Sequence, residues 1–222
     1  MAPKTSSSYG LSAFPVTIFA HMVAIAVTTL VLVWLLHFRG GFAFKSDDKA
    51  KIFNLHPLLM VLGFVLISGE AIMAYKAVPS TRKSQKLFHL ILHFIALVAG
   101  IIGICAVFKF HNELGIPNMY SLHSWLGMST ICLFGLQWLF SFFTFLYPGA
   151  KQSTRARLGP WHAVFGAVIF LMAILSSLTG LVEKFIFTGL RQNQEALIVN
   201  FTGLLIFLFA VSVGFSVLLP RV

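Results

Sequence analysis

Four of the eight histidines, His56, His89, His123 and His162, each stand just inside the start of a separate apolar run, with gaps of 33, 34 and 39 residues between them. An imidazole inside an apolar segment is a metal ligand, a proton carrier or a hydrogen-bonded packing residue. One such histidine decides little, but four on consecutive segments at matching depth point to ligation. Two neutral imidazoles facing each other suit a haem iron with both axial positions filled, and such an iron moves electrons because no position is open for oxygen. A zinc or copper site would gather three or four ligands with cysteine or carboxylate among them.

The elements that must hold these imidazoles follow from composition. Of 222 residues, 58% are hydrophobic and only 10% charged, and the mean hydropathy is +0.91. A soluble domain could not hide that much apolar surface. Apolar runs of about 20 residues, long enough to cross a bilayer, recur six times: 14–36, 52–75, 87–109, 122–147, 160–182 and 195–218. Alternating strand patterns are lacking, so the expected class is an all-α membrane protein, one six-helix domain over residues 1–222. Pro57 and Pro160 are expected in or near first helical turns. Short connections make neighbouring helices antiparallel. His56 and His123 then open on one face of the membrane, and His89 and His162 on the other. In a bundle of helices two to five, two and four are diagonal, as are three and five. The quartet becomes two facing pairs, roughly 20 Å apart at 1.5 Å per residue. That is a two-haem four-helix bundle with a core of about residues 52–183.

Sixteen Lys and Arg against six Asp and Glu give a net charge of +10, and the basic residues lie almost entirely between the apolar runs. Nine fall on the N-terminal side of the membrane, including Lys4, and seven on the other, which makes the side bearing both termini cytoplasmic. No basic stretch pairs with a soluble module, so nucleic-acid binding has no support. Cys105 and Cys132 lie inside spans as small apolar fillers. The N-terminal tail is short and polar, without a cleavage site after the first span.

His93 lies four residues after His89 on the same helix face, so either could ligate; His89 matches the depth of His162 and is preferred. Glu70, an intramembrane acid, is expected to be paired, with His93 one candidate donor. His21 and His37 have no partner at matching depth and are read as structural. On the cytoplasmic side Arg82, Lys83, Lys86 and Arg155 flank His89 and His162, a cationic setting for an anionic donor. On the far side Phe110, His111, Asn112, Asn118, Met119, Tyr120 and Ser121 border His123. Asn118 and Tyr120 can hydrogen-bond a propionate or a small acceptor, and His111 can take a proton.

Ser121-Leu122-His123-Ser124-Trp125 matches the S-L-H-S-W motif of the cytochrome b561 family. The stretch from Gly69 to Lys76, followed by Arg82 to His89, resembles that family's long motif on the opposite face. The likeness covers about residues 52–183. It implies a six-helix protein with two haem b groups, commonly a homodimer in an endomembrane (vacuolar or vesicular) or the plasma membrane. The implied activity is that of an oxidoreductase taking electrons from cytoplasmic ascorbate and passing them to monodehydroascorbate or ferric chelates across the membrane. Carried over residue by residue, His89 and His162 ligate the cytoplasmic haem, His56 and His123 the other, and Glu183 is a haem contact. The same cluster, Arg82, Lys83, Lys86 and Arg155, takes ascorbate. Where the family motif usually reads Tyr-Arg, this chain has Tyr75-Lys76; lysine can offset a propionate as a point charge but cannot grip it bidentately. Respiratory cytochromes b and NADPH-oxidase-like reductases put two histidines on one helix, 13 or 14 residues apart, unlike the spacing here.

Overall fold

A computed structural model describes residues 12–221; Lys4 and the polar N-terminal tail lie outside the described residues. Six helices are long and apolar enough to cross a membrane: α1 Ala13–Phe38, α2 Lys49–Ala77, α3 Arg82–Leu114, α4 Leu122–Leu146, α5 Gln152–Phe187 and α6 Gln194–Leu218. Short polar side chains start most of them by taking an orphan N–H of the first turn. Asp48 accepts from the Ala50 amide at 3.1 Å, Thr81 from Ser84 at 3.3 Å and Asn193 from Ala196 at 2.7 Å. Ser121 and Ser124 cap each other's backbone reciprocally at the start of α4. The two serines of the S-L-H-S-W motif therefore fix the helix turn that carries His123. Gly115, at φ +67°, ends α3 in the left-handed conformation.

The helices outrun the apolar segments. Helix α2 begins at Lys49 and α5 at Gln152, so Pro57 and Pro160 lie inside helices rather than in first turns. Hydropathy registers only the hydrocarbon-embedded part, whereas the helix continues through the polar interface with Lys49, Lys51, Arg155 and Arg157 on its surface. Proline removes one N–H and crowds the preceding turn. In α2 the backbone after Pro57 widens into π-helical turns over Leu59–Leu66.

Helix α2 is the most buried of the six. It packs on α3, α6 and α1, and its middle touches α5; α3 packs on α4, α4 on α5, α5 on α6 and α1 on α6. These neighbours are consistent with a bundle of α2 to α5, with α1 and α6 paired outside it. The α1–α6 pair is zipped by Val27 and Val31 against a core that includes Ile206 and Phe209, and by a buried Thr17–Ser216 hydrogen bond of 2.6 Å. Glycines set the close approaches. A Cβ on Gly63 would stand 2.5 Å from the Ala99 Cβ, and one on Gly69 would meet the Phe209 ring. These two serve close helix packing.

Ala99 has no rotamer with which to yield, so Gly63→Val is expected to force α2 and α3 apart. A cost of about 1–3 kcal/mol follows from overpacking, read as a lower melting temperature in detergent. Gly214→Ala, where a Cβ meets nothing within 4 Å, should leave it unchanged.

Candidate functional site

The bundle brings the four expected histidines together two by two. The rings of His56 (α2) and His123 (α4) face each other with centroids 6.1 Å apart and planes at 85°. Those of His89 (α3) and His162 (α5) stand at 6.0 Å and 73°. Each ring is tied from behind through Nδ1. His56 donates to the Gly103 carbonyl at 3.0 Å, His89 to Ala71 at 2.9 Å and His123 to Ser176 at 2.9 Å. A carbonyl can only accept, so these three rings carry their proton on Nδ1 and keep the Nε2 lone pair free. His162 Nδ1 shares a 2.9 Å hydrogen bond with the Ser141 hydroxyl. His56 and Ala71, which receives His89, lie fifteen positions apart on α2, about 22 Å at 1.5 Å per residue. The pairs therefore sit near opposite ends of the bundle.

His93 lies in the same chamber as the second pair, its ring centroid 4.5 Å from that of His89. Its Nδ1 is buried without a partner. The expected His93–Glu70 contact does not form: Glu70 instead pairs with His21 of α1, at 2.8 Å. His21 thus has a partner at its own depth, contrary to expectation, because α1 packs directly on α2 and brings the imidazole to a carboxylate rather than to another histidine.

Around the second pair, Lys86 gives its Nζ to the Phe145 carbonyl, and the Phe145 ring lies 5.4 Å from His162. The Lys86 charge is therefore held at the mouth of that pair, between α3 and α4. Arg82 covers the Tyr75 ring at 5.9 Å, and Tyr75 lies 5.4 Å from His89. Lys83 and Arg155 are exposed. Lys76 donates to the Leu219 carbonyl at 2.6 Å, placing its charge on the C-terminus of α6. Around the first pair, His111 Nδ1 donates to Asn118 Oδ1 at 3.1 Å, and Asn118 Nδ2 to Asn112 Oδ1 at 2.9 Å. The His111 and Tyr120 rings are 6.3 Å apart, and Phe110 lies 5.8 Å from His111. Met119 adopts φ +58°, a left-handed conformation that costs a non-glycine residue about 1–3 kcal/mol and marks a loop held by its surroundings. Glu183 is half-buried near the end of α5. Cys105 and Cys132 are free thiols on the outer surface.

Residues 55–188 match the family model described as eukaryotic cytochrome b561. The chain belongs to the cytochrome b561 family. It is 49% identical to the probable ascorbate-specific transmembrane electron transporter 1 of Oryza sativa subsp. japonica, over 95% of this chain and 92% of the relative. It is 46% identical to the transmembrane ascorbate ferrireductase 1 of Arabidopsis thaliana, over 90% and 85%. With the transmembrane ascorbate-dependent reductase CYB561 of Ovis aries it shares 39% identity, over 86% and 77%.

Cytochrome b561 membership implies haem b, and the donor set fits it. An imidazole nitrogen lies about 2.0 Å from a first-row metal and the ring centroid about 1.1 Å behind it, so two rings on one metal stand roughly 6.2 Å apart. Both observed separations agree within a few tenths of an ångström. Among the described residues no three His, Cys, Asp or Glu side chains cluster as a metal site; the histidines act in twos. Sequence reasoning missed the groups behind the rings: Gly103, Ala71 and Ser176 contribute backbone carbonyls, which carry no side-chain signal. It also missed Gly180, where a Cβ would lie 2.6 Å from His123 Cε1.

That approach yields a prediction. Gly180→Ala should push the His123 ring off its axis and lower the haem content of the purified protein. Haem-to-protein absorbance ratios measure it, and Gly159→Ala, with open space at its Cβ, is the neutral comparison.

Proposed function

We propose that this cytochrome b561 passes single electrons across its membrane, from ascorbate on the cytoplasmic side, through two haem b groups, to monodehydroascorbate or a ferric chelate on the other. The observation that carries the reading is the pair of facing imidazole couples at opposite ends of one bundle, each ring fixed by its Nδ1. His89 and His162 hold the cytoplasmic haem, and His56 and His123 the other. A haem held between two imidazoles supplies one reversible electron and no open coordination position.

The remaining roles fall to the chain's own side chains. Ascorbate is a monoanion at neutral pH, and Lys86, Arg82, Lys83 and Arg155 draw it to the mouth of the His89–His162 pair. Lys86 stands closest, anchored on the Phe145 carbonyl beside His162. Arg82 lies against Tyr75, which borders His89. On the far side Phe110, Asn112 and His111 receive the acceptor. Hydrogen bonding through Nδ1 to Asn118 leaves His111 Nε2 as the atom that holds a proton while the acceptor is reduced. Lys76, Asn118, Met119, Tyr120, Ser121 and Glu183 are the further haem contacts. The excess of basic residues on the side bearing both termini, nine against seven, supports a cytoplasmic position for them, and a homodimer in an endomembrane or the plasma membrane completes the reading. The names carried by the rice, Arabidopsis and sheep relatives support ascorbate as the electron donor.

The purified protein should show a Soret band and reduced b-type bands on adding ascorbate. Lys86→Ala should slow that reduction about tenfold, the lower range expected for steering by a charged cleft, while reduction by dithionite proceeds as in the wild type. A colourless protein, or unchanged ascorbate kinetics in Lys86→Ala, would overturn the reading.

A further inference from the structure

At the end of the bundle that holds the His56–His123 pair, α1, α2, α5 and α6 bring three charged side chains together. Arg39, just past α1, pairs with Glu195 in the first turn of α6; the two side chains are 21% and 13% exposed. The same Glu195 carboxylate accepts from Trp34 Nε1 at 2.8 Å. Asn54 of α2 fastens the end of α1 by donating to the carbonyls of Arg39 at 3.1 Å and Gly41 at 2.7 Å. Lys184, on the last turn of α5, lies within electrostatic reach of both Arg39 and Glu195. Its Nζ sits 4.0 Å over the ring of Phe53, and that ring is 6.2 Å from His56.

The local charge does not balance. Two cations surround one carboxylate, and that carboxylate is already shared between a guanidinium and an indole. Among the described residues no acid pairs with Lys184, and Arg39 Nε is buried without a hydrogen-bond partner. A buried guanidinium N–H left unpaired costs free energy, as does a partly buried ammonium without a carboxylate paired to it. One carboxylate placed between the end of α1 and the end of α5 would answer both deficits, and Phe53 links Lys184 to the His56 ring.

We propose that Arg39 and Lys184 form a carboxylate-binding subsite beside the His56–His123 pair. The carboxylate can come from two sources: a propionate of the haem held by that pair, or an anionic electron acceptor docking over it. The inference rests on the two-haem reading above, since the first source exists only if that pair carries haem.

The test is a spectroelectrochemical titration of the full-length protein in detergent, comparing the wild type with Lys184→Met, Lys184→Gln and Lys184→Arg. Methionine keeps the chain length over the Phe53 ring, and glutamine is the alternative should the methionine variant fail to accumulate. If the carboxylate is a haem propionate, removing the neighbouring cation favours the oxidised haem. One of the two reduction steps should then move about tenfold toward the ferric form, about 59 mV for one electron, while the other stays in place and Lys184→Arg behaves as wild type. If the carboxylate belongs to the acceptor, both steps stay in place. KM then rises several-fold for ferric citrate but not for the cationic acceptor hexaammineruthenium(III). Unchanged potentials together with unchanged ferric citrate kinetics would overturn the subsite. A wild-type protein without two titrating haems would instead overturn the reading on which it rests.

Discussion

An imidazole inside a bilayer has nowhere to put its N–H except on another part of the protein. Three of the four core histidines solve this by donating Nδ1–H to a main-chain carbonyl of a neighbouring helix, and the fourth by pairing with a serine hydroxyl. The same bond that satisfies the donor fixes the tautomer, aims Nε2 at the opposite ring and locks the helices in depth. His56 on α2 is read from Gly103 of α3, and His89 on α3 from Ala71 of α2, so these two helices brace each other at both ends. A slide of one turn along their shared face would break both bonds and misplace one imidazole of each pair.

Such bracing needs helices that approach closely and carbonyls that can be reached. Gly63 lets α2 meet α3 at Ala99, and Gly103 presents its carbonyl on a face without a side chain. Pro57 follows His56 directly, and the π-helical turns beyond it re-phase α2 before it reaches Gly69 and Ala71. An ideal α-helix would turn these groups to different neighbours. The constraint that orients the imidazoles is therefore written into the backbone path of α2, the helix that touches most of the others.

This division explains what could be read from sequence. The six spans follow from apolar run lengths, and six helices of that kind are present; antiparallel order likewise leads to the pairing of His56 with His123 and His89 with His162, whose rings face each other. The starts of α2 and α5 did not follow, because Lys49–Lys51 and Gln152–Arg157 are polar and hydropathy falls silent at the interface. Glu70 was expected to be paired, and it is, but with His21 rather than the candidate His93, because one sequence does not say that α1 packs against α2 and carries His21 to it. Carbonyl acceptors and the clearance at Gly180 had no side-chain signature. The tie between Lys86 and Phe145 depends on where α4 ends, a boundary that the apolar pattern leaves loose.

The central claim is that each facing pair would hold one haem iron between its two imidazoles. Electron paramagnetic resonance of the oxidised, purified protein tests it most directly. Imidazole planes near 85° and 73° would leave two d orbitals of a bound iron almost equal in energy and so give strongly anisotropic low-spin ferric signals. The account predicts two such signals, with His123→Ala and His162→Ala each abolishing a different one. A dominant high-spin signal from iron with an open position, or a single haem centre untouched by one of the two substitutions, would contradict it.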